Sequence, residues 1–462
     1  MKRTLAIETK DKVGEMVMLQ GWVNSRRDHG RVVFLDIRDR SGILQTVTAD
    51  AKLVERVGSE YCVELVGIVK ERPENMVNTD LATGKVELEI KEFKVLTESS
   101  ELPLPIHTDG TEIDEGVRMK YRYLDLRRKR MNHHIKLRSK TSQFMRQFLL
   151  ERDFVEVETP ILTKTTPEGA RDFLVPSRLQ QGNFYALPQS PQQYKQLLMV
   201  AGFERYFQLA RCFRDEDPRA DRAYGEFTQL DIEMSFVTQE DILQLAEELF
   251  TSLSKALFPE KTITQAPWPR ISHKDAIKEY GSDKPDLRKD KKDKDELAFA
   301  WVVDFPLFAE QTKDDYYHGA GEKLAPSHHM FTAPHPDDVS LLDKEPLKVR
   351  GLQHDMILNG FEVGGGSVRI HDSKIQTKVF ELIGFSKQQQ AQFEHMLTAF
   401  KYGVPPHGGI APGFDRFLMA VLGEPSIREV IAFPATAGGR TAVVDAPSEA
   451  SSEQLQELGV KI

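Results

Sequence analysis

Cysteine and long apolar runs are both scarce in this sequence. The 462 residues include two cysteines, Cys62 and Cys212, which lie far apart and show no C-x-x-C spacing. This count and spacing argue against a disulfide framework and against a structural zinc site, and they fit a reducing compartment. The most apolar stretch, residues 297–309, is too short to span a bilayer and contains Asp304. We therefore expect a cytoplasmic protein with no membrane segment and no zinc.

An excess of positive charge is also missing. The chain has 62 basic and 71 acidic residues and a net charge of −9, which excludes a polycation that coats nucleic acid with its whole surface. A phosphate loop of the G-x-x-x-x-G-K-[ST] type is absent as well. The densest basic run, residues 120–140, has nine Lys or Arg residues against one acid. It predicts a solvated helix face, and any nucleic-acid surface must be local.

Short strands dominate residues 1–105. Segments of alternating or continuous apolar character, divided by turn signals, occupy residues 17–24, 32–38, 43–48, 62–71 and 86–96. Strands of this number and length predict a small closed barrel of the OB type. Such barrels bind single-stranded nucleic acid through basic and aromatic side chains. The candidates are Arg26, Arg27, Phe34 and Gln45, although Phe34 fits a core position equally well.

A second region follows a proline-rich linker at residues 102–105. An amphipathic helix over about residues 135–152 leads to a strand at 154–158 that stops before Pro160. Further strands at 301–308 and 356–363, and helices at 386–401 and 417–422, do not alternate regularly. This order predicts an antiparallel sheet flanked by helices, an α+β arrangement. We expect a barrel domain at 1–105, a hinge at 106–130 and a second domain at 131–462.

Residues 211–233 carry the parts of a nucleotide site. Two apolar segments flank a polar, turn-rich stretch at 217–225, which predicts a hairpin with an exposed tip. Arg214 would grip phosphate oxygens, Glu216 would accept the amino hydrogens of a base and Phe227 would stack on its face. A surface hairpin with salt bridges is the alternative for this stretch alone.

Three separated pieces occur in a set order along the chain: a helix and strand that end at Pro160, the Arg214 hairpin, and a glycine-rich strand that ends in Arg416 before a helix. This order resembles the three motifs of the class II aminoacyl-tRNA synthetases. Further stretches narrow the resemblance to the bacterial-type aspartate–tRNA ligases: GWVN (21–24), FLDIRD (34–39), TPEGARD (166–172), QSPQ (189–192) and NGFEVGGGSVR (359–369).

The resemblance implies an N-terminal OB-fold barrel that binds the anticodon and a class II catalytic domain on an antiparallel sheet flanked by helices. It implies a homodimer built partly around Pro160. Aspartate would attack the α-phosphate of ATP, with Mg²⁺ as the metal, and expel pyrophosphate. The terminal adenosine of tRNA(Asp) would then take the aspartyl group. The substrate carboxylate is already a nucleophile, so the enzyme needs positioning and charge stabilisation rather than a general base.

The resemblance also assigns roles to matching residues. Those expected at aspartate are Glu168, Gln192, Lys195, Arg214, Asp231, His328 and Arg369. Those expected at ATP are Arg214, Asp215, Glu216, Phe227, Glu362, Gly413, Phe414, Asp415 and Arg416, with Asp355 and Glu362 as ligands of Mg²⁺. Lys195 and Arg369 would hold the side-chain carboxylate of aspartate, so the neutral amide of asparagine would leave a buried charge unpaired.

Three features depart from the resemblance. The large insertion usual between the second and third motifs is replaced by a charged loop at 288–296, so we expect the chemistry to survive and the insertion's tRNA contacts to be lost. The hairpin tip carries Ala223-Tyr224-Gly225 in place of a shorter Gln-Pro, which leaves its contact with the acceptor end of tRNA open. At two positions of the barrel, His29 and Asn75 resemble the residues of the relaxed subgroup of these ligases, which also charges tRNA(Asn).

Four alternatives remain at this point. A strictly tRNA(Asp)-specific ligase differs only in the residues that read the anticodon. A class II paralogue that forms amides without tRNA usually lacks the barrel, which this chain keeps. An asparaginyl- or lysyl-tRNA ligase fits poorly with paired cations at Lys195 and Arg369. A non-catalytic RNA-binding protein would be expected to have lost residues such as Arg214 or Arg416, and both are present.

Overall fold

The computed structural model describes residues 1–30, 32–165, 170–310 and 324–461. The chain forms two compact units, Met1–Pro105 and Ile106–Ile462. None of the described helices is long and apolar enough to cross a membrane.

The first unit is a closed barrel in the order β1-β2-β3-β5-β4. Its described strands are β1 (Met16–His29), β2 (Val32–Asp39), β3 (Gly42–Thr48), β4 (Cys62–Glu71) and β5 (Val86–Thr97). Inward and outward side chains alternate along each strand, as in β2, where Val33, Leu35 and Ile37 are buried. This alternation is the pattern read from the sequence, and the OB-type barrel is confirmed.

The second unit is built on a large mixed sheet with helices around it. Its described helices are α1 (Glu115–Lys120), α2 (Arg122–Asp125), α3 (Lys129–Leu150), α4 (Gln192–Val200), α5 (Gln239–Leu257), α6 (His273–Tyr280), α7 (Ser373–Leu382), α8 (Lys387–Ala391), α9 (Glu394–Ala399), α10 (Phe414–Leu422) and α11 (Ser452–Leu458). Its described strands are β6 (Val155–Glu156), β7 (Leu174–Pro176), β8 (Phe184–Ala186), β9 (Arg205–Arg214), β10 (Gly225–Ser235), β11 (Thr262–Ile263), β12 (Arg270–Ser272), β13 (Glu296–Leu297), β14 (Phe299–Val303), β15 (Phe308–Glu310), β16 (Leu324–Pro326), β17 (Gln353–Leu358), β18 (Phe361–Val368) and β19 (His407–Pro412).

Among these described strands, the main sheet has the order β12-β14-β17-β18-β19-β10-β9-β6. The pairs from β14 to β9 are antiparallel, whereas the edge strands β12 and β6 pair in parallel with their neighbours. The expected antiparallel sheet is therefore present at the centre. The largest apolar core lies against this sheet, where α5 and α10 supply side chains such as Phe250 and Phe417 in edge contact.

The hairpin of β17 and β18 differs from the single strand expected at residues 356–363. The turn between the strands is Asn359-Gly360, and both residues have positive φ, 52° and 84°. An Asn-Gly pair of this kind is a strong hairpin signal, because it fits the twist of the flanking strands. The apolar run on both sides concealed the turn, and the strand prediction was wrong there.

The basic run after the barrel also differs from expectation. Residues 106–130, expected as a hinge, belong to the second unit and include α1 and α2. Arg122 and Arg128 are 0% exposed, and each pairs with the buried Asp125 at 2.6 Å. Arg122 also donates to the backbone oxygens of Ile431 and Ala432. Part of the run is therefore a buried ion network rather than a solvated helix face.

The charged loop at 288–296 is held by specific contacts, although its composition predicts a mobile segment. Arg288 pairs with Asp286 at 2.8 Å and donates to the backbone oxygen of Asp293 at 3.0 Å. The ammonium of Lys261 donates to the backbone oxygen of Lys294 at 2.7 Å. These contacts hold the loop in place, and the chain continues from its last residue into β13 and then β14.

Candidate active site

A cavity of about 370 Å³ lies within the second unit and is lined by residues of α4, β9, β10, β18, β19 and α10. Many residues predicted at aspartate or ATP meet there: Gln192, Lys195, Arg214, Glu216, Phe227, Asp231, His328, Glu362, Arg369, Gly413, Asp415 and Arg416. The antiparallel pairing of β10 with β9 and β19, and of β19 with β18, brings these distant segments together.

Other predicted residues lie elsewhere. Asp215 is at the hairpin tip, where it accepts a hydrogen bond from the hydroxyl of Tyr224 at 3.4 Å. Phe414 is 2% exposed and belongs to the apolar core, with the guanidinium of Arg138 stacked 4.6 Å from its ring centre. Phe414 is thus a packing residue where an ATP contact was expected. Glu168 lies outside the described residues.

A cluster of buried charges forms the floor of the cavity. The ammonium of Lys195 lies 2.6 Å from Asp231 and 3.3 Å from Glu233. Arg369 donates from Nε and Nη2 to the two oxygens of Glu233, at 3.0 and 3.2 Å. All four side chains are at most 2% exposed. Two cations and two carboxylates therefore offset one another in a site shielded from water.

The strand register explains this cluster. Asp231 and Glu233 are two positions apart on β10, so their side chains lie on the same face of the sheet. Glu233 fits because residue 409, beside it on β19, is glycine: a Cβ there would lie 2.3 Å from Glu233 Oε2. Sequence reasoning missed Glu233, although the period of two counted from Asp231 pointed to it.

The pKa values of the two carboxylates are shifted in opposite directions. Burial raises the pKa of Asp231, and the nearby Glu233 adds to the rise despite the attraction of Lys195. Burial would also raise the pKa of Glu233, but Arg369 and Lys195 together outweigh it and lower the pKa. Asp231 Oδ2 is buried and has no hydrogen-bond partner among the described residues. It is therefore an acceptor available to a bound cation.

Two adjacent histidines border the same cluster. His329 Nε2 lies 2.6 Å from Arg369 Nη1, and the rings of His328 and His329 are 4.7 Å apart. Burial, helped by the positive charge of Arg369, lowers the pKa of His328 to about 3. His328 is therefore neutral at physiological pH. Such a ring next to a cation adds hydrogen-bonding capacity without adding charge.

Arginines line the other part of the cavity. The guanidinium of Arg214 lies 5.0 Å from the centre of the Phe227 ring. Arg416 donates to the backbone oxygens of Asp221 and Glu362, at 3.0 and 2.8 Å. Two permanent cations and a half-buried aromatic ring thus lie along one wall, a combination suited to phosphates and a planar base.

Asp415 holds the elements of this wall together. Its Oδ2 accepts a hydrogen bond from the backbone N–H of Thr228 at 2.9 Å, and its Oδ1 pairs with Arg138 of α3. Thr228 follows Phe227 on β10, and Asp415 precedes Arg416 on α10. One carboxylate therefore ties together the strand and the helix that present the aromatic ring and the cation.

A pair of carboxylates lies on neighbouring strands, with Asp355 within β17 and Glu362 near the start of β18. Asp355 is 8% exposed and its Oδ1 has no hydrogen-bond partner among the described residues. Burial, together with the charge of Glu362, raises its pKa well above the usual value. A Cβ built on Gly365 would lie 3.2 Å from Asp355 Oδ1 and 3.8 Å from Glu362 Oε1. Glycine at this position keeps open the space that both carboxylates face.

The barrel residues form a separate candidate surface. Arg27 is half exposed and donates to Asp36 at 2.9 Å and to Gln45 at 3.1 Å. Arg26 instead donates to backbone oxygens, including that of Val54 at 2.6 Å, so much of its guanidinium serves the barrel itself.

Two further barrel residues were predicted to discriminate between tRNAs. The rings of His29 and Phe34 lie edge to face at 5.8 Å, and the predicted discrimination residue Asn75 is exposed in the segment between β4 and β5.

The predicted dimer motif lies at the surface of the second unit. Pro160 is exposed, and so are the apolar side chains of Val155, Ile161 and Leu162, each at least 40% exposed. Clustered exposed apolar side chains of this kind are typical of a surface that a partner covers.

The comparisons with known proteins bear on this arrangement. Residues 114–437 match the family described as tRNA synthetases class II (D, K and N), and residues 17–96 match the OB-fold nucleic acid binding domain. The aspartate–tRNA(Asp/Asn) ligase of Rubrobacter xylanophilus is 40% identical over 97% of this chain and 95% of its own length. The chain belongs to the aspartate–tRNA ligase family of class II synthetases.

Further relatives of this family agree. The aspartate–tRNA ligase of Lysinibacillus sphaericus is 40% identical over 97% of this chain and 96% of its own. The asparaginyl-tRNA synthetase of Pyrococcus horikoshii, solved with asparaginyl-adenylate, has a TM-score of 0.76 over 94% of this chain and 98% of its own, at 23% identity. That structure shows a shared fold. The family resemblance and the α+β class read from the sequence are confirmed.

The comparison with the ligase family also bears on the insertion. The alignment with the Rubrobacter protein runs over 580 positions, more than the 462 residues of this chain. The relative therefore contains residues that this chain lacks. That the gap falls at the charged loop of residues 288–296 stays a prediction.

Proposed function

We propose that this chain attaches L-aspartate to tRNA in two steps, through aspartyl-adenylate. The observation that carries the proposal is the charge cluster of Lys195, Asp231, Glu233 and Arg369, buried in one cavity. The ligand that completes it is an amino acid with an ammonium group and a second carboxylate. Aspartate has this charge pattern.

Hydrogen-bond capacity supports the same ligand. Of the five N–H donors of Arg369, the contacts to described residues use four, shared among Glu233, Ser367 and His329. Lys195 has three N–H donors and contacts Asp231 and Glu233. Each cation keeps a donor for an incoming carboxylate, and Asp231 Oδ2 keeps an acceptor for the ammonium. Gln192 at the cavity wall adds an amide to the same ammonium side.

The chemistry of activation follows from the opposite wall. Arg214 would neutralise charge that builds on the α-phosphate, and Arg416 would hold the γ-phosphate. Phe227 and Arg416 would enclose adenine, with Glu216 near its amino edge. Arg222 holds Glu216 at 2.9 Å, next to the cavity that both residues line. Positioning and fixed charge supply the rate enhancement, because the substrate carboxylate needs no base.

Mg²⁺ fits the residues present. The ion prefers one or two carboxylates plus substrate phosphates to an all-protein cage. Asp355 and Glu362 offer that donor set, with an unpartnered buried oxygen and an open space kept by Gly365. No group of three or more acidic, His or Cys ligands occurs among the described residues, which agrees with a site completed by ATP. When bound, the metal would offset phosphate charge.

Pyrophosphate exchange tests the first step. Exchange between ATP and labelled pyrophosphate should depend on aspartate and should not be supported by asparagine or lysine. An amide in place of the second carboxylate would bring no negative charge to the N–H donors that Lys195 and Arg369 keep for the substrate, a penalty that commonly reaches about 10⁴-fold at such sites. Exchange driven by asparagine, by lysine or by no amino acid would contradict the proposal.

The tRNA partner is proposed to include both tRNA(Asp) and tRNA(Asn). His29 and Asn75 support the relaxed specificity, and the Rubrobacter relative is named for both tRNAs. Charging assays with each purified tRNA test it, and a failure to aspartylate tRNA(Asn) would leave strict tRNA(Asp) specificity. A homodimer around Pro160 and a cytoplasmic location belong to the same proposal, and sedimentation tests the dimer.

A further inference from the structure

Lys284, which no motif of the sequence singled out, lies at the carboxylate pair. Its ammonium is 3.2 Å from Glu362 Oε2. The side chain of Lys284 is 42% exposed and that of Glu362 is 32% exposed, so the ion pair lies at the mouth of the site.

The segment that carries Lys284 is anchored to the β17–β18 turn. The backbone N–H of Lys284 donates to the hydroxyl of Ser282 at 3.0 Å. Asp286, two residues further on, packs on the turn, because a Cβ added to Gly360 would lie 3.2 Å from its Cβ. Arg288 then fixes Asp286 through both of its oxygens.

The charged loop contributes to the same anchoring. Asn359 of the turn donates to the backbone oxygen of Glu296 at 2.9 Å and accepts from the backbone N–H of Ala298 at 2.8 Å. The turn joins the strands of Asp355 and Glu362. Glu296 at the end of the loop and Asp286 just before its start therefore both contact the hairpin that presents the carboxylates, and this anchoring keeps Lys284 next to Glu362.

We propose that the ammonium of Lys284 pairs with Glu362 in the free enzyme, in place of a metal ion. When ATP arrives with its divalent metal, the ammonium moves from Glu362 to a phosphate oxygen. This inference rests on the proposed function, since it assigns a residue to the same phosphate site. The ammonium offsets the negative charge of Glu362 while no metal is bound. It then meets the leaving pyrophosphate, whose charge it offsets beside the metal.

The choice of lysine suits such an exchange. A lysine is a compact charge on a flexible stem, whereas an arginine favours fixed, paired contacts. At 42% exposure, the Lys284 stem is free to swing without breaking a buried contact. The contrast with Arg416 is clear, because its guanidinium is fixed by the backbone oxygens of Asp221 and Glu362.

Metal binding without ATP tests the exchange directly. Mn²⁺, which carboxylates also bind, is titrated into the full chain by calorimetry. Lys284→Met should bind Mn²⁺ roughly two- to fivefold more tightly than the unchanged protein, the range that a half-exposed ion pair supports. Lys284→Arg keeps the positive charge at Glu362 and should show no such gain in Mn²⁺ affinity. Lys292→Met, at an exposed position of the same charged loop, is the matched control. Equal Mn²⁺ affinity in Lys284→Met and the unchanged protein would overturn the inference.

The proposed contact of Lys284 with a phosphate of ATP is tested separately. In aspartate-dependent pyrophosphate exchange, Lys284→Met should raise the KM for ATP roughly tenfold, the loss expected for one charge-assisted contact, and leave the KM for aspartate unchanged. An unchanged KM for ATP would also overturn the inference.

Failure of the proposed function has different signatures. If the unchanged protein shows no aspartate-dependent exchange, the proposed activity itself is contradicted. If Lys284→Met still binds Mn²⁺ after Glu362→Gln is added, the proposed metal site is contradicted.

Discussion

Arg369 and Glu233 form a forked ion pair, in which Nε and Nη2 of Arg369 donate to the two carboxylate oxygens at 3.0 and 3.2 Å. The residues are 136 positions apart: Glu233 is on β10, whereas Arg369 directly follows β18, and β19 lies between these two strands in the sheet. The cation expected to recognise substrate is thus oriented by a carboxylate of the protein. Its remaining donor points away from Glu233, which fixes where a second carboxylate can bind.

This pairing predicts that Glu233 positions Arg369 for the aspartate of the proposed reaction. Glu233→Gln should lower aspartate activation by about 10²-fold, because Arg369 loses its orientation, and should lower the free energy of unfolding by about 3 kcal/mol, because a buried cation is left underpaired. Pyrophosphate exchange and urea unfolding measure the two effects. Glu226→Gln, at an exposed position of the same strand, is the control and should change neither. Full activity in Glu233→Gln would contradict the assignment.

Gly365 should tolerate no side chain. Gly365→Ala adds a methyl group 3.2 Å from Asp355 Oδ1 and 3.3 Å from His328 Nε2. The methyl group occupies the space that the two carboxylates face, so activation should fall by at least about 10²-fold with little change in melting temperature. Gly438→Ala, where the nearest atom would be 3.9 Å away, serves as the comparison. Equal activity in the two variants would argue against the site.

Asp415 should matter for ATP and for stability together. Asp415→Asn removes the charge that pairs with Arg138 and weakens the contact with the Thr228 backbone. We expect a loss of about 2 kcal/mol in the free energy of unfolding and a raised KM for ATP with the KM for aspartate unchanged. Arg146→Gln, which removes an exposed pair on the same helix, should be silent. A change confined to the KM for aspartate would point to a different role.

Buried histidines predict an acid-sensitive fold. Burial lowers the pKa of both His328 and His354 from 6.5 to about 3. The unfolded chain binds protons that the folded chain excludes, so stability falls as the pH drops from about 6.5 towards 3. Each such histidine costs about 2 kcal/mol between pH 7 and 5. His354→Leu should reduce the pH slope of the unfolding free energy by about one proton, whereas the exposed His133→Gln should leave it unchanged. An unaltered slope in His354→Leu would refute the point.

Substitutions of the two barrel arginines should have different effects, one on stability and the other on tRNA binding. Arg26→Gln loses contacts with the backbone oxygens of Val54 and Val57, at 2.6 and 3.1 Å, and should destabilise the protein by about 2 kcal/mol. Arg27→Gln should instead weaken tRNA binding and reduce its salt slope by about one. Filter binding at several salt concentrations and thermal melts measure these effects. The reverse pattern would exchange the two assignments.

The sequence by itself determined the outline of this protein. Alternating apolar residues located the barrel strands within a few residues of their observed bounds, because a strand's side-chain period is local. The hairpin of β9 and β10 and the order of the motifs were likewise visible in the chain, and the order of motifs led to the family. Local signals also misled in places: the Asn359-Gly360 turn was hidden inside an apolar run, and a basic run contained the buried Arg122 and Arg128.

The tertiary structure decided which charges meet. Glu233 between Lys195 and Arg369, Asp415 between Arg138 and Thr228, and Lys284 at Glu362 are all contacts between segments far apart in the chain. Burial likewise decided that Phe414 packs in the core. Composition reports that a residue is charged or aromatic, but its partner and its exposure depend on how strands pair and helices pack. The residue types were legible in the sequence, and their pairings became visible once the sheet was assembled.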